Sequence, residues 1–166
     1  MKIRRAQIAD AETVAKIHVA SWDVAYRGIM PDDVIARTDV AYRTRFWNPR
    51  LGDGAWPVLL LEAEGQTVAF CHMCPTHDPD DDPKSVGHIT SVHVLPQLRG
   101  RGYGRRLIDH VVAEFRRRKF REITLWVLEE NRKARTFYDT YGFRPDGGKK
   151  TYPNTAVPEV RYRLTL

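Results

Sequence analysis

Apolar residues recur along this chain with two periods, and the period changes at recognisable punctuation. Lys2 to Ala6 reads as a short first strand. Asp10, with Glu12 just behind it, reads as the N-cap and acidic first turn of a helix running to about Tyr26. In that segment Val14, Ile17, Ala20 and Val24 recur at helical spacing and are expected to face the core. Pro31 opens a second helical region that runs to about Trp47. Val58 to Glu62 and Thr67 to Met73 flank Glu64-Gly65 and predict an antiparallel hairpin. Pro75 to Ser85, rich in Asp and Pro, is expected to be an exposed loop.

The second half follows the same logic. His88 to Leu95 alternates β-branched residues, a strand ended by Pro96. A helix starts near Gly102, with Leu107, Val111 and Phe115 on one face. Ile123 to Leu128 predicts a strand, Asn131 to Tyr141 a helix stopped by Gly142, and Val160 to Leu166 a closing strand. The order β-α-α-β-β-β-α-β-α, plus one or two final strands, is neither strict βαβ alternation nor all-β. It predicts an α/β fold with a mixed, largely antiparallel central sheet and helices on both faces.

A length of 166 residues suits one domain, 1–166, and buries enough surface to fold without disulfide or metal. No apolar run approaches the ~20 residues of a membrane span. The start, Met1-Lys2-Ile3-Arg4-Arg5, lacks the apolar stretch of a signal peptide, so a cytoplasmic location is expected. Lys plus Arg number 27 against 21 Asp plus Glu, with the excess around Arg99 to Arg121. That patch suits a phosphorylated small molecule or a solvated helix end, and no nucleic-acid-binding signature accompanies it. The two cysteines, Cys71 and Cys74, interrupt a strand-like run on opposite faces, so reduced thiols are expected rather than a metal or redox pair.

The densest chemistry lies in Val92-His93-Val94-Leu95-Pro96-Gln97-Leu98-Arg99-Gly100-Arg101-Gly102-Tyr103-Gly104-Arg105, a Gly-rich turn between a strand and a helix start. Glycines let successive backbone N–H groups converge on an anion, and the helix N-terminus adds positive potential. A Walker loop would end in Lys and Ser or Thr, and a dinucleotide fingerprint would need Gly where Leu107 stands. What remains is Arg-x-x-Gly-x-Gly, at Arg99, Gly102 and Gly104. A second segment, Asn131-Arg132-Lys133-Ala134-Arg135-Thr136-Phe137-Tyr138, continues through Tyr141-Gly142-Phe143. Together these resemble the two signatures of the GNAT superfamily of acyl-CoA-dependent N-acetyltransferases. The opening Ile3-Arg4-Arg5-Ala6 through Asp10-Ala11 is similar too, so the resemblance covers nearly the whole chain.

The resemblance implies direct transfer of an acetyl group from acetyl-CoA to an amine of a small molecule or peptide, with no metal. Backbone amides of Arg99, Gly100, Arg101, Gly102, Tyr103, Gly104 and Arg105 would hold the pyrophosphate. Val92, His93 and Val94 would pair with the pantetheine arm as an added strand. Asn131 would contact the cofactor beside Tyr138, the general acid for the leaving thiolate, and His88 stands where many members carry a catalytic Glu. Trp22 and Tyr26, four apart on one helix face, would line the acceptor site or, for Trp22, pack in the core. Arg116 to Arg121 would meet the 3′-phosphate or RNA, or merely solvate a helix end; Arg132 and Lys133 are further candidates for that phosphate. N-terminal ribosomal-protein acetyltransferases of the family carry a carboxylate on the strand before the second signature, where this chain has Trp126. The alternatives are a non-catalytic acyl-CoA-binding module and an N-terminal protein acetyltransferase; a homodimer is left open.

Overall fold

The computed structural model describes residues 1–52 and 54–166. Along the chain run β1 (Lys2–Arg5), α1 (Ala11–Tyr26), α2 (Asp32–Ala36), α3 (Val40–Leu51), β2 (Val58–Ala63), β3 (Gln66–Pro75) and β4 (Val86–Val94). There follow α4 (Tyr103–Arg117), β5 (Glu122–Leu128), α5 (Arg132–Tyr141), β6 (Arg144–Thr151) and β7 (Pro158–Thr165). The strands form one mixed sheet in the order β1-β2-β3-β4-β5-β7-β6. Two compact units divide the chain, one of Met1–Met73 with Ser91–Asp109, the other of Cys74–Thr90 with His110–Leu166.

In the first unit β1 lies antiparallel to β2, from Lys2↔Glu62 to Arg5↔Leu59, and β2 antiparallel to β3. The predicted hairpin turns at Glu64 (φ 55°) and Gly65 (φ 75°), two left-handed residues of the kind a twisted two-residue turn demands. Leu95 N donates to Val68 O at 2.9 Å, tying the chain after β4 to β3. Val14, Ile17, Trp47, Leu51, Val58, Leu60 and Phe70 share one core cluster. The buried stripe of α1 is Val14, Ile17, His18, Ser21 and Trp22. Val24, expected inside, is exposed, because the 3.6-residue period carries the stripe from Ser21 and Trp22 past it.

Two more local expectations are corrected here. Asp10 does stand before α1, but its carboxylate does not cap that helix. It accepts from Arg4 Nη1 and Nη2 at 2.7 and 2.8 Å and from Gln7 N at 2.7 Å, fastening β1 to the helix start. The single helical region expected from Pro31 to Trp47 is two helices. Thr38 Oγ1 bonds back to Val34 O at 2.8 Å, and Asp39 Oδ1 accepts from Tyr42 N at 2.7 Å, which starts α3 afresh.

In the second unit the start of β4 pairs in parallel with β5, from Val86↔Glu122 to Ile89↔Leu125. The other edge of β5 stays paired to antiparallel β7 as far as Leu128↔Glu159. Gly87 is required by packing, since a Cβ there would lie 2.3 Å from Phe115 Cε1. The Pro75–Ser85 segment is a largely exposed loop as expected, with His77, Pro79, Asp80 and Asp82 to Lys84 open to solvent, but it is anchored. Asp78, Asp80 and Asp81 reach Arg161 and Arg163 of β7, and Asp78 also accepts from Trp126 Nε1. Cys71 and Cys74 are both buried and neither is in a disulfide.

Candidate active site

The Gly-rich turn follows β4 in the first unit. Gly100 and Gly102 adopt φ of +80° and +82°, and a Cβ at either would meet nothing within 4 Å. Backbone conformation therefore selects glycine at both positions, and the space beside them is open. The helix behind begins at Tyr103, and Arg106 N donates to Gly102 O at 3.0 Å. The amides of Gly102, Tyr103 and Gly104 precede that first helical bond and form the positive end of α4. Such a turn receives a phosphate or pyrophosphate, so these residues fit the group that the sequence pattern implies.

The turn is braced by side chains facing away from that end. Glu64, at the tip of the hairpin, accepts from Tyr103 OH at 2.8 Å and from Arg101 Nη1 at 2.8 Å. These bonds hold the Glu64 carboxyl below its usual range, the tyrosine bond being the larger cause. Arg99 Nη2 donates to Ser21 O and Oγ, both at 3.0 Å, and the Ser21 hydroxyl lies 3.1 Å from His93 Nδ1. Ser21 thus joins α1 to both the turn and β4. His93 faces inward, its ring stacked on His18 at 4.4 Å, and burial with the nearby Arg43 and Arg99 charges pushes it down to about 3. Trp47 Nε1 donates to His18 Nδ1 at 3.0 Å, so the buried His18 is satisfied and neutral, its pKa held well below normal chiefly by burial.

Trp22 is buried and makes an edge contact with Tyr26, ring centres 4.8 Å apart. The two share one helix face as their spacing predicted, yet Trp22 turns inward toward Arg43, whose guanidinium carbon lies 4.5 Å from its ring centre.

In the second unit His88 Nδ1 lies 2.9 Å from Thr124 Oγ1, and Thr124 Oγ1 donates to Gly87 O at 3.3 Å. The Thr124 hydroxyl therefore ties the His88 ring to the backbone of β4, whichever of the two side chains donates in that bond. Trp126 follows two residues after Thr124 on the same face of β5, its Nε1 at 3.1 and 3.0 Å from the Asp78 carboxylate oxygens. The carboxylate missing from that strand position is thus supplied to its neighbourhood by the 76–85 segment. Asn131 caps α5, its Oδ1 accepting from Ala134 N at 3.2 Å, which leaves the Nδ2 end pointing elsewhere. Tyr138 is half-buried on α5, in edge contact with Phe137 and Phe143 at 5.3 and 5.8 Å. Arg117 and Arg118 of the basic run pair with Glu114, favouring the solvated-helix-end reading of that run. Among the described residues no group of His, Cys, Asp and Glu is arranged to hold a metal ion.

Residues 21–143 match the family model described as "Acetyltransferase (GNAT) family". The chain belongs to that family. An N-acetyltransferase of Archaeoglobus fulgidus, named as uncharacterized, is 30% identical over 149 residues, covering 89% of this chain and 97% of its own. A probable N-acetyltransferase of Mycobacterium tuberculosis is 26% identical over 172 residues, covering 99% and 93%. In fold the chain is similar to the PaiA N-acetyltransferase of Thermoplasma acidophilum, solved with coenzyme A, at TM-score 0.80, 16% identity and 99% and 98% coverage. It is also similar to YncA of Salmonella typhimurium, a putative acetyltransferase with acetyl-CoA, at TM-score 0.73, 22% identity and 100% and 94% coverage. The GNAT chain is accordingly an N-acetyltransferase in class. The sequence signatures missed Glu64, Ser21, His18 and Arg43. His18 and Trp22, four apart, carried a helical-face signal; Glu64 and Arg43 touch their partners only through the fold.

Proposed function

We propose that this chain transfers the acetyl group of acetyl-CoA directly to the primary amine of a small molecule or peptide, as one catalytic domain met by its substrates in the cytoplasm. The observation that carries the reading is the turn at Gly100 and Gly102, left-handed at both glycines and opening onto the start of α4. Its amides, from Arg99 to Arg105, receive the pyrophosphate, and the main chain of Val92–Val94 receives the pantetheine arm. A strand amide there polarises the thioester carbonyl as negative charge develops on its oxygen.

The chemistry needs an amine with a lone pair. His88, held against Thr124 through Nδ1, takes the ammonium proton on its imidazole, directly or through water. The amine nitrogen then attacks the thioester carbon, the N–C bond forms and the C–S bond breaks. Tyr138 gives its phenolic proton to the departing sulfur, as a general acid. The adduct nitrogen's remaining excess proton restores the tyrosine through solvent, and the His88 imidazolium releases its proton to solvent, leaving an amide and a thiol. Asn131, its Oδ1 committed to capping α5, offers its amide N–H to the cofactor.

Tyr138→Phe keeps the ring and removes the proton. The expected outcome is acetyl-CoA affinity near that of the wild type with kcat lower by about 10²-fold. Unchanged kcat, where chemistry limits the rate, refutes the role. A non-catalytic acyl-CoA-binding module predicts no turnover in either protein.

A further inference from the structure

Arg43, on α3 of the first unit, is only 6% exposed. Its guanidinium carbon lies 4.5 Å from the ring centre of Trp22, 5.4 Å from that of Phe46 and 5.6 Å from that of Tyr42. Its Nε is buried without a hydrogen-bond partner. Among the described residues no carboxylate pairs with it. The contrast with Arg161 is sharp, since that buried guanidinium meets Asp78, Asp80, Asp81 and Asp146. Stacking on aromatic faces returns only part of the hydration that a buried cation loses.

Among the described residues no side chain paired with Arg43 supplies the missing negative charge. His18 and His93 are both held neutral, by burial first and by the Arg43 charge in addition. The cluster therefore carries one positive charge with no carboxylate paired to it among the described residues. It also adjoins the donor strand within the same unit. Ser21, next to Trp22 in sequence, bonds Arg99 of the turn and lies against His93 of β4.

We propose that Arg43 receives a carboxylate of the acceptor, so that the acetylated amine belongs to an amino-acid-like molecule bearing a free carboxylate beside its amino group. The inference rests on the N-acetyltransferase reading above. A guanidinium presents two parallel N–H groups that match a carboxylate, and one cation balances one carboxylate charge. A phosphate dianion would need a second cation, and the Arg99 guanidinium is already turned to Ser21. Trp22 and Phe46 would meet the apolar part of such an acceptor, and Tyr42, 47% exposed, is the open wall of the cage.

The test uses wild-type protein, acetyl-CoA and matched acceptors, L-phenylalanine against L-phenylalaninamide and L-methionine against L-methioninamide. The amides have the more readily deprotonated amines, so a preference for the acids cannot come from amine basicity. The expected result is kcat/KM about 30-fold or more in favour of the acid. Arg43→Met is expected to bring the acid-to-amide ratio within about threefold of unity. Amides used as well as acids, or a ratio that survives Arg43→Met, overturn the proposal. The wild-type ratio needs no variant, so it decides the matter even if Arg43→Met fails to fold. Acetylation confined to amines without a carboxylate overturns the Arg43 assignment and leaves the transferase standing. If no amine of any kind consumes acetyl-CoA, it is the transferase reading that fails.

Discussion

Replacing Arg161 with methionine removes the hub of the ion network on β7. Arg161 Nη1 and Nη2 lie 2.8 and 2.6 Å from the two carboxylate oxygens of Asp80, and Nε lies 2.8 Å from Asp146. Asp81 and Asp78 stand farther off, at 3.4 and 3.5 Å. Without the guanidinium, Arg163 still pairs with Asp81 and Asp146, and Trp126 still donates to Asp78. Asp80, 60% exposed along its side chain, turns to water at little cost. The loss therefore falls on Asp78, Asp81 and Asp146, three enclosed carboxylates left with one arginine. Breaking a buried pair costs about 3–5 kcal/mol, and the surviving Arg163 places this case near ~3 kcal/mol. For a chain of this size that lowers Tm by about 6–12 °C.

The pH dependence is the sharper signature. Asp146 is lowered in the folded state, against burial, by the Gly148 amide, Arg163 and Arg161, and the exposed Asp80, held down to about 2 by its Arg161 bond, adds a part that solvent screening reduces. Such groups contribute stability that is complete above the unfolded carboxylate range and is lost as pH falls through the folded value. Urea unfolding of both proteins should show the full difference at pH 7 and a shrinking one between about pH 4 and 2, with m unchanged. A difference below about 1 kcal/mol at pH 7, or one that does not vary with pH, refutes the network's role.

Gly87→Ala places a methyl 2.3 Å from Phe115 Cε1, and should cost about 1–3 kcal/mol by overpacking, read as a lowered urea midpoint. Gly102→Ala meets open space but a φ of +82°, so it should cost about 1–2 kcal/mol of backbone strain. It should also raise the Kd for acetyl-CoA in calorimetry by about fivefold, the equivalent of ~1 kcal/mol. His88→Gln removes the imidazole base and should cut the neutral-pH rate by about 10²-fold. It should also abolish the acidic limb of the kcat/KM profile, and an unchanged limb excludes His88 as the base.

What could be read in the sequence was what local chemistry encodes. Gly102 and Gly104 sit within one helical start, and Asn131 caps the helix that carries Tyr138, so both signatures are short-range objects. Glu64-Gly65 likewise announced its own turn. The break at Thr38-Asp39 also had a local sign, an Asp N-cap, but the apolar pattern running through it to Trp47 obscured it. The rest depends on distance in sequence. Asp80 meets Arg161 across 81 positions and Glu64 meets Tyr103 across 39, and no periodicity marks such pairs. The aspartate-rich segment was read as an exposed loop but not as an anchored one, because its counter-charges lie on β7. Arg43 looked like an ordinary helix arginine until α3 packed it against Trp22.

The central claim is settled by turnover of the wild-type protein. Incubated with acetyl-CoA and a panel of amino acids, amino-acid amides, polyamines, aminoglycosides and N-terminal peptides, it should release free CoA thiol only when an acceptor is present. Mass spectrometry should find one acetyl group on the amine for each CoA released, and none retained on the protein after a single turnover. An acetylated protein standing as an intermediate, or CoA binding without any acetylated amine across the panel, would contradict the account.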